Sequence, residues 1–294
     1  MANGSTTSSD ENRWLSSTQV AKALGVSSTT VKRWIDDGLL SAHRTQGGHR
    51  RIPPDELLRL ARSGQVPQLD LSSVQLAAHA RGACGQESTH LKQYLLKGDR
   101  LTAQRLMEEK LLARGISALA EELITPAMQQ IGTDWQTHKI EVMHEHRATE
   151  LCLSILYQFV PMMERKITNP SRIAVGCSPT KDFHRIASLL AKMMLNEAGW
   201  KATHLGGGVS AGVLEQSSVE MGAELVWISA TKVPSTSWLV REFGPVLKRL
   251  RERGILICTG GQAISPRISR SIGANYHGTR LSDLIKMANG AMPS

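Results

Sequence analysis

The chain has 294 residues, 35 Lys and Arg against 26 Asp and Glu, a formal net charge of +9 and a pI of about 9.6. That length suits two or three domains, and a hydrophobic share of 41% can fill real cores although aromatics make up only 4%. With no apolar run near the roughly 20 residues a bilayer demands, a polar N-terminus, and four scattered cysteines (Cys84, Cys152, Cys177, Cys258), the composition excludes a membrane span, a disulfide framework and a paired-cysteine zinc site.

The expected location is therefore cytoplasmic, and the positive balance favours an anionic partner such as nucleic acid. Residues 1–12 are rich in Ser, Thr and Asn and read as a disordered tail. A basic unit follows over 13–64; from Glu11 to Gly64 nine Lys and Arg face five Asp and Glu, a net of +4. Ser17 to Val26 reads as a helix ending at Gly25, and Ser27 to Ile35 as a second helix with a hydroxyl cap. Val20, Ala21, Leu24, Val31 and Ile35 can form their shared core. Helix, glycine turn and second helix is the helix-turn-helix layout, in which the second helix enters the major groove. Thr29, Thr30, Lys32 and Arg33 fall on or near its exposed N-terminal surface. A hairpin with a glycine tip comes next and carries His43, Arg44, His49, Arg50 and Arg51, a wing suited to phosphate. A small helical protein-interaction domain is the plainer reading of this unit. The run from Thr18 through Arg51 resembles the winged-helix DNA-binding domain of the MerR family, which implies dimeric binding to near-palindromic double-stranded promoter DNA.

Residues 65–87, with Pro67, Gly82 and Gly85, read as a linker. From 88 to 166 the pattern is helical. One helix opens with Leu91, Tyr94 and Leu95. Asp99 caps a second that carries Ala103, Leu106, Met107 and Leu111. A third runs from about Ile116 to Trp135, bent or restarted near Pro126, and a fourth from about Ile140 to Met163. Four helices with short connections predict a bundle. Over 171–294 short apolar runs (173–177, 203–205, 225–229, 255–258) alternate with helical stretches around 185–198, 211–222, 237–252 and 281–288. That rhythm predicts a doubly wound, Rossmann-like parallel sheet.

In such a sheet ligands sit in the loops leaving the carboxyl ends of strands. Asp182-Phe183-His184 lies just past the first run, Ser229 ends the third, and Gly260-Gly261 ends the fourth, so the fold brings all of them to one rim. An acid two residues before a histidine can hold one ring nitrogen's proton and raise the basicity of the other, which is what a metal ligand needs. The plainer alternative is a loop histidine beside a capping aspartate. Together these features resemble the cobalamin-binding domain with its Asp-x-His-x-x-Gly, Ser-x-Leu and Gly-Gly motifs. The resemblance implies that His184 replaces dimethylbenzimidazole as lower cobalt ligand and that Asp182 orients it. It also implies that Ser229 contacts the nucleotide tail and that Gly260 and Gly261 let the tail pass. Two positions depart from the pattern: Ala187 stands where the motif has glycine, and Thr231 where it has leucine.

In the helical region Val142, Glu145 and His146 share a helix face at i, i+3 and i+4, and Trp135 precedes Glu145 by an interval of nine residues. An aromatic lid, an apolar wall, a carboxylate and an imidazole suit a nucleoside; a buried Trp beside a solvated Glu-His pair is the alternative. This spacing resembles that of the CarH-type photoreceptors, which join a MerR domain to such a bundle and a cobalamin domain, and the likeness runs over residues 13–294. It implies a non-enzymatic, light-responsive repressor that binds adenosylcobalamin, assembles in the dark as a tetramer on promoter DNA, and lets go on cobalt–carbon photolysis. Trp135, Val142, Glu145 and His146 would then enclose the adenosyl group. Gln136 stands where those photoreceptors often place a histidine. Two other readings stay open. One is a MerR-type repressor with weak, different (another tetrapyrrole or a bilin) or no ligand dependence; the other is a cobalamin-dependent methyltransferase subunit.

Overall fold

The computed structural model describes residues 14–45, 47–53, 56, 57, 60, 84–164 and 172–290. The expected tail, most of the expected linker and the wing-tip residue Gln46 lie outside them. Two compact units divide the chain, Met1–Leu151 and Cys152–Ser294.

The first unit opens with β1 (Leu15–Ser16), a two-residue strand too short to show any periodicity in the sequence, and passes into α1 (Ser17–Ala23). Ser16 caps α1 in a reciprocal box: its Oγ accepts from Gln19 N, and Gln19 Oε1 accepts from Ser16 N. Gly25, at φ 64°, makes the turn to α2 (Ser28–Asp36), whose first turn is capped by Ser27 Oγ accepting from Thr30 N at 3.1 Å. β2 (His43–Arg44) and β3 (Arg50–Ile52) form the wing, and the antiparallel sheet runs β1-β3-β2. Leu15, Val20, Leu24, Val31, Leu40 and Ile52 close a small core.

The helical part follows: α3 (Cys84–Lys97), α4 (Arg100–Ala118), a π-helical turn (Leu119–Ile124), α5 (Thr125–Gln136) and α6 (Val142–Glu164). The first turn of α3 falls within the stretch expected to be linker. Asp99 caps α4 through Thr102 N. Gly115 takes φ 77° inside the helical run, so the third expected helix does start at Ile116; the π turn then leads to Pro126 in the first turn of α5. α3 lies against α4, the π turn and α5. A buried charge fixes that packing: Lys110 Nζ meets Glu87 Oε2 at 2.8 Å and Glu122 Oε2 at 3.1 Å. Burial by itself lowers the Lys110 pKa, yet its bonds to Glu87 and Glu122 outweigh that and raise it above the ordinary value.

The second unit is a five-stranded parallel sheet in the order β5-β4-β6-β7-β8, built from β4 (Ile173–Cys177), β5 (Lys201–His204), β6 (Leu225–Ser229), β7 (Leu256–Gly260) and β8 (Tyr276–Gly278). Its helices are α7 (Ile186–Glu197), α8 (Ala211–Glu220), α9 (Thr236–Glu252), α10 (Pro266–Ser271) and α11 (Leu281–Ala288). Side chains alternate between two cores. Val175, Cys177, Val226 and Ile228 pack on α8 and α9, while Ala174, Leu225, Trp227 and Cys258 pack on α7 and α11. β8 and α10 had not been expected: one spans three residues, the other six, and both are too polar for a periodic signal. β5 runs 201–204 rather than 203–205 because an edge strand carries polar side chains such as exposed Lys201.

His204 sits at the end of β5 with Nε2 buried and without a hydrogen-bond partner. Burial, then the Lys192 and Arg185 charges, push its pKa down to about 4. A histidine held neutral in the fold stabilises fully above its unfolded value of 6.5 and loses that contribution as pH falls towards 4, on the order of 3 kcal/mol. Denaturant unfolding at pH 7 and pH 4.5 should therefore show a smaller pH loss in His204→Phe than in the wild type; parallel losses would remove His204 as the cause.

Candidate functional site

The chain steps from β4 outward to β5 and then back across β4 to β6, and the crevice between the β4 and β6 exits, where the strand order switches sides, is the natural ligand position of such a sheet. Asp182 occupies that crevice with no solvent exposure. Its Oδ1 accepts from His184 N at 3.0 Å and from His184 Nδ1 at 2.6 Å. Its Oδ2 accepts from the backbone N–H of Thr231 at 2.5 Å and of Lys232 at 3.2 Å, in the loop that leaves β6. The carboxylate thus ties the two strand exits together and sets the histidine's tautomer: with the proton on Nδ1, the lone pair is on Nε2. The His184 side chain is 47% exposed. Its backbone is fixed a second time, because Ser178 Oγ donates to the His184 carbonyl at 2.7 Å.

A third loop presses on this one. Gly206, Gly207 and Gly208 follow β5, and Gly208 N donates to the Asp182 carbonyl at 2.9 Å. A Cβ on Gly207 would come within 3.1 Å of that carbonyl, and one on Gly208 within 2.9 Å of the exposed Phe183 ring. The sequence reading missed these glycines, which were visible as a triplet at a strand exit.

Ser229 ends β6 directly opposite Gly260 of β7, so the rim residues expected to meet do meet. The two glycines have reasons within the fold itself. Gly261 has φ 94°, and a Cβ there would stand 2.2 Å from the Ala230 carbonyl oxygen; a Cβ on Gly260 would stand 3.2 Å from the Gly278 carbonyl. Among the described residues no group of three or more His, Cys, Asp or Glu is arranged to hold a metal ion. The arrangement at His184 is that of one imidazole donor, suited to a metal whose other ligands come with its own macrocycle.

In the helical part Trp135 lies half-buried in the last turn of α5, and Val142, Glu145 and His146 lie in the first turns of α6. Both segments are anchored to α3: Lys92 pairs with Asp134, and Arg147 donates to the Leu96 carbonyl. Val142 and His146 are exposed, whereas Glu145 is turned inward, its Oε1 accepting from Thr149 Oγ1 at 2.9 Å.

On the winged helix, Thr29, Lys32, Arg33, Arg44 and His49 are exposed. Thr30 shares its hydroxyl with the Ser27 cap at 2.9 Å. The His43 ring lies against Trp14 at a 45° tilt, ring centroids 4.4 Å apart. Arg50 turns from the wing towards α2 and pairs with Asp36 at 2.5 Å, while Arg51 is half-buried on β3 between its two partner strands.

Two family descriptions match the chain: "Helix-turn-helix domain" over residues 14–65 and "B12 binding domain" over residues 88–158. The chain joins a helix-turn-helix domain to a B12-binding domain. That pairing is the one the resemblance to CarH-type regulators implied. Over 241 residues the chain is 23% identical to the HTH-type transcriptional repressor CarA of Myxococcus xanthus, covering 78% of this chain and 79% of that one. It is 24% identical over 192 residues to trimethylamine corrinoid protein 1 of Methanosarcina acetivorans, covering 63% and 87% respectively. The Methanosarcina barkeri monomethylamine corrinoid protein shares the fold, with a TM-score of 0.56 at 19% identity over 69% of this chain and 97% of that one. No helix among the described residues is long and apolar enough to cross a membrane.

Replacing Asp182 by Asn turns one acceptor into a donor facing N–H groups. Asp182→Asn should lower stability by about 3 kcal/mol, whereas His184→Ala, which truncates a half-exposed ring, should cost less than about 1 kcal/mol. Denaturant midpoints of the two variants check this ranking; equal losses would show that the aspartate serves the histidine alone.

Proposed function

We propose that this chain is a B12-dependent transcriptional repressor that binds promoter DNA in the dark with adenosylcobalamin and releases it in light. The observation that carries this reading is the Asp182–His184 pair at the strand-exit crevice of a chain that also carries a helix-turn-helix domain. The similarity to a repressor over most of the chain supports the regulatory half. The matched B12 binding domain and the corrinoid-protein fold support the ligand half.

His184 would hold the cobalt through Nε2, with Asp182 keeping Nδ1 protonated. Trp135, Val142, Glu145 and His146 are the residues we assign to the adenosyl group: the indole for stacking, the valine as an apolar wall, the carboxylate and imidazole for the ribose hydroxyls. The chemistry the group supplies when bound is a cobalt–carbon bond that light breaks. A dark tetramer would gather several winged helices on one promoter. Affinity then falls when the assembly comes apart, because each domain loses the avidity of its neighbours. A ligand favouring the assembled state shifts the population by its differential affinity alone. A cytoplasmic location follows from a DNA target.

On the winged helix, Thr29, Thr30, Lys32 and Arg33 would face the major groove, with His43, Arg44, His49, Arg50 and Arg51 on the wing side. The Asp36 pairing gives Arg50 a different task from Arg44: it holds the wing against α2. Arg44→Ala should weaken binding to all sequences and lower the salt slope by about one counterion. Arg50→Ala should weaken binding with a smaller change of slope. Gel-shift titrations at several salt concentrations separate the two, and identical slopes would return Arg50 to the phosphate-contacting set.

The purified chain mixed with adenosylcobalamin in the dark should keep a corrinoid absorption spectrum through gel filtration and elute as a larger species than without it. Illumination should change the spectrum and reduce the size. His184→Ala should lose the dark spectrum. Retention of an unchanged spectrum by His184→Ala would end the cobalt-ligand assignment, and an absence of light effect would leave a regulator without photochemistry.

A further inference from the structure

We infer that Trp227 fills the space beneath Ser229 and Gly260 where a corrinoid's lower nucleotide would lie, so that this chain takes corrinoids lacking that base at least as readily as complete cobalamin. The inference rests on the corrinoid reading above and narrows its ligand class. Alternation along β6 puts Leu225, Trp227 and Ser229 on one face of the sheet, the face covered by α7 and α11. Ser229 was expected to touch a nucleotide tail, and the tail would then run down this face. The side chain immediately below it is an indole, only 3% exposed.

The indole is seated in a place made for it. It lies over Gly176, its neighbour in β4, where an added Cβ would come within 2.0 to 2.5 Å of three of its ring carbons. Its Nε1 donates to Ser188 Oγ of α7 at 2.9 Å, and Ser188 has no exposure. On the other side Trp227 faces Cys258, whose Sγ lies 3.8 Å from Met287 Sδ. Ala191 of α7 and Leu284 of α11 complete the cluster, both buried. Ser229 above it is itself buried, 7% exposed.

Indole and dimethylbenzimidazole are both fused five- and six-membered aromatic rings. The chain's own side chain thus occupies a volume of the size the base requires, and a close-packed interior does not yield a second such volume nearby. His184 is outside this cluster and would still present Nε2 to a corrinoid's cobalt. A corrinoid whose tail stops short of the base, as in cobinamide, meets the histidine without meeting the indole.

The test titrates the full chain in the dark with adenosylcobinamide and with adenosylcobalamin, followed by absorbance and by corrinoid retained on gel filtration, in the wild type and in Trp227→Ala. The wild type should bind the cobinamide as tightly as cobalamin or more tightly. Trp227→Ala should shift the ratio towards cobalamin by about tenfold or more. A wild type that prefers cobalamin by about tenfold overturns the inference and leaves the corrinoid reading standing. Binding of neither corrinoid by either protein overturns both. Should Trp227→Ala fail to fold, the wild-type ratio decides alone, and Trp227→Leu, which keeps an apolar filling but removes the bicyclic ring, supplies the second arm. An unchanged ratio in a folded Trp227→Leu counts against the slot.

Discussion

Asp182 places a carboxylate with no solvent exposure at the crevice of the parallel sheet, and four N–H groups converge on it from two loops. A buried charge of this kind is tolerable only when its lone pairs are filled, and here two come from the histidine segment and two from the β6 exit. The consequence is mechanical as well as electrostatic. The loop after β4 cannot shift without dragging the loop after β6, so His184 is held relative to the sheet rather than merely relative to its own loop. The glycine triplet after β5 adds a third side to this clamp, with Gly208 N donating to the Asp182 carbonyl and Gly207 packed where a Cβ would be tight against it.

Much of this was readable from residue order because strand exits in a doubly wound sheet share one rim, so the positions of Asp182, Ser229 and Gly260 followed from four apolar runs. What stayed hidden depends on distances. That Asp182 answers to Thr231 and Lys232 as well as to His184 needs two segments about fifty residues apart to meet through backbone groups, which carry no sequence signature. Gly261 illustrates the same limit from the other side. Its presence reads as room for a ligand, yet a Cβ there would also meet the Ala230 carbonyl oxygen, so the fold itself already calls for glycine. Short elements were lost for a different reason: β1, β8 and α10 take their place from pairing partners and caps rather than from periodicity of their own.

The winged helix shows how a basic segment divides its labour. Charge counting treats every arginine of the wing alike. The pairing of Arg50 with Asp36 makes one of them an internal strut, and the exposed Arg44 is then the side chain whose field reaches outward. A domain this small has few core residues to fix its hairpin, so a charged cross-brace to α2 does work that a larger core would do elsewhere. Orientation of the wing relative to α2 is what lets one domain contact groove and backbone together.

Trp227 belongs to the same economy of a crowded site. Ser188 lies one helical turn beyond His184, and its hydroxyl is held by the indole from below, so the opening turn of α7 is fixed by β6 as well as by its own backbone. The departure noticed in the sequence, Ala187 for glycine, is the residue between that anchor and Ile186, and its methyl lies on a turn already immobilised. A bulky residue that filled this space without a donor would leave the buried Ser188 oxygen without this bond, whereas the indole fills the space and donates to that oxygen at once. The tryptophan therefore ties the turn after the histidine loop to β6, and on the proposed corrinoid reading the same side chain would limit how much of a ligand's tail the sheet admits.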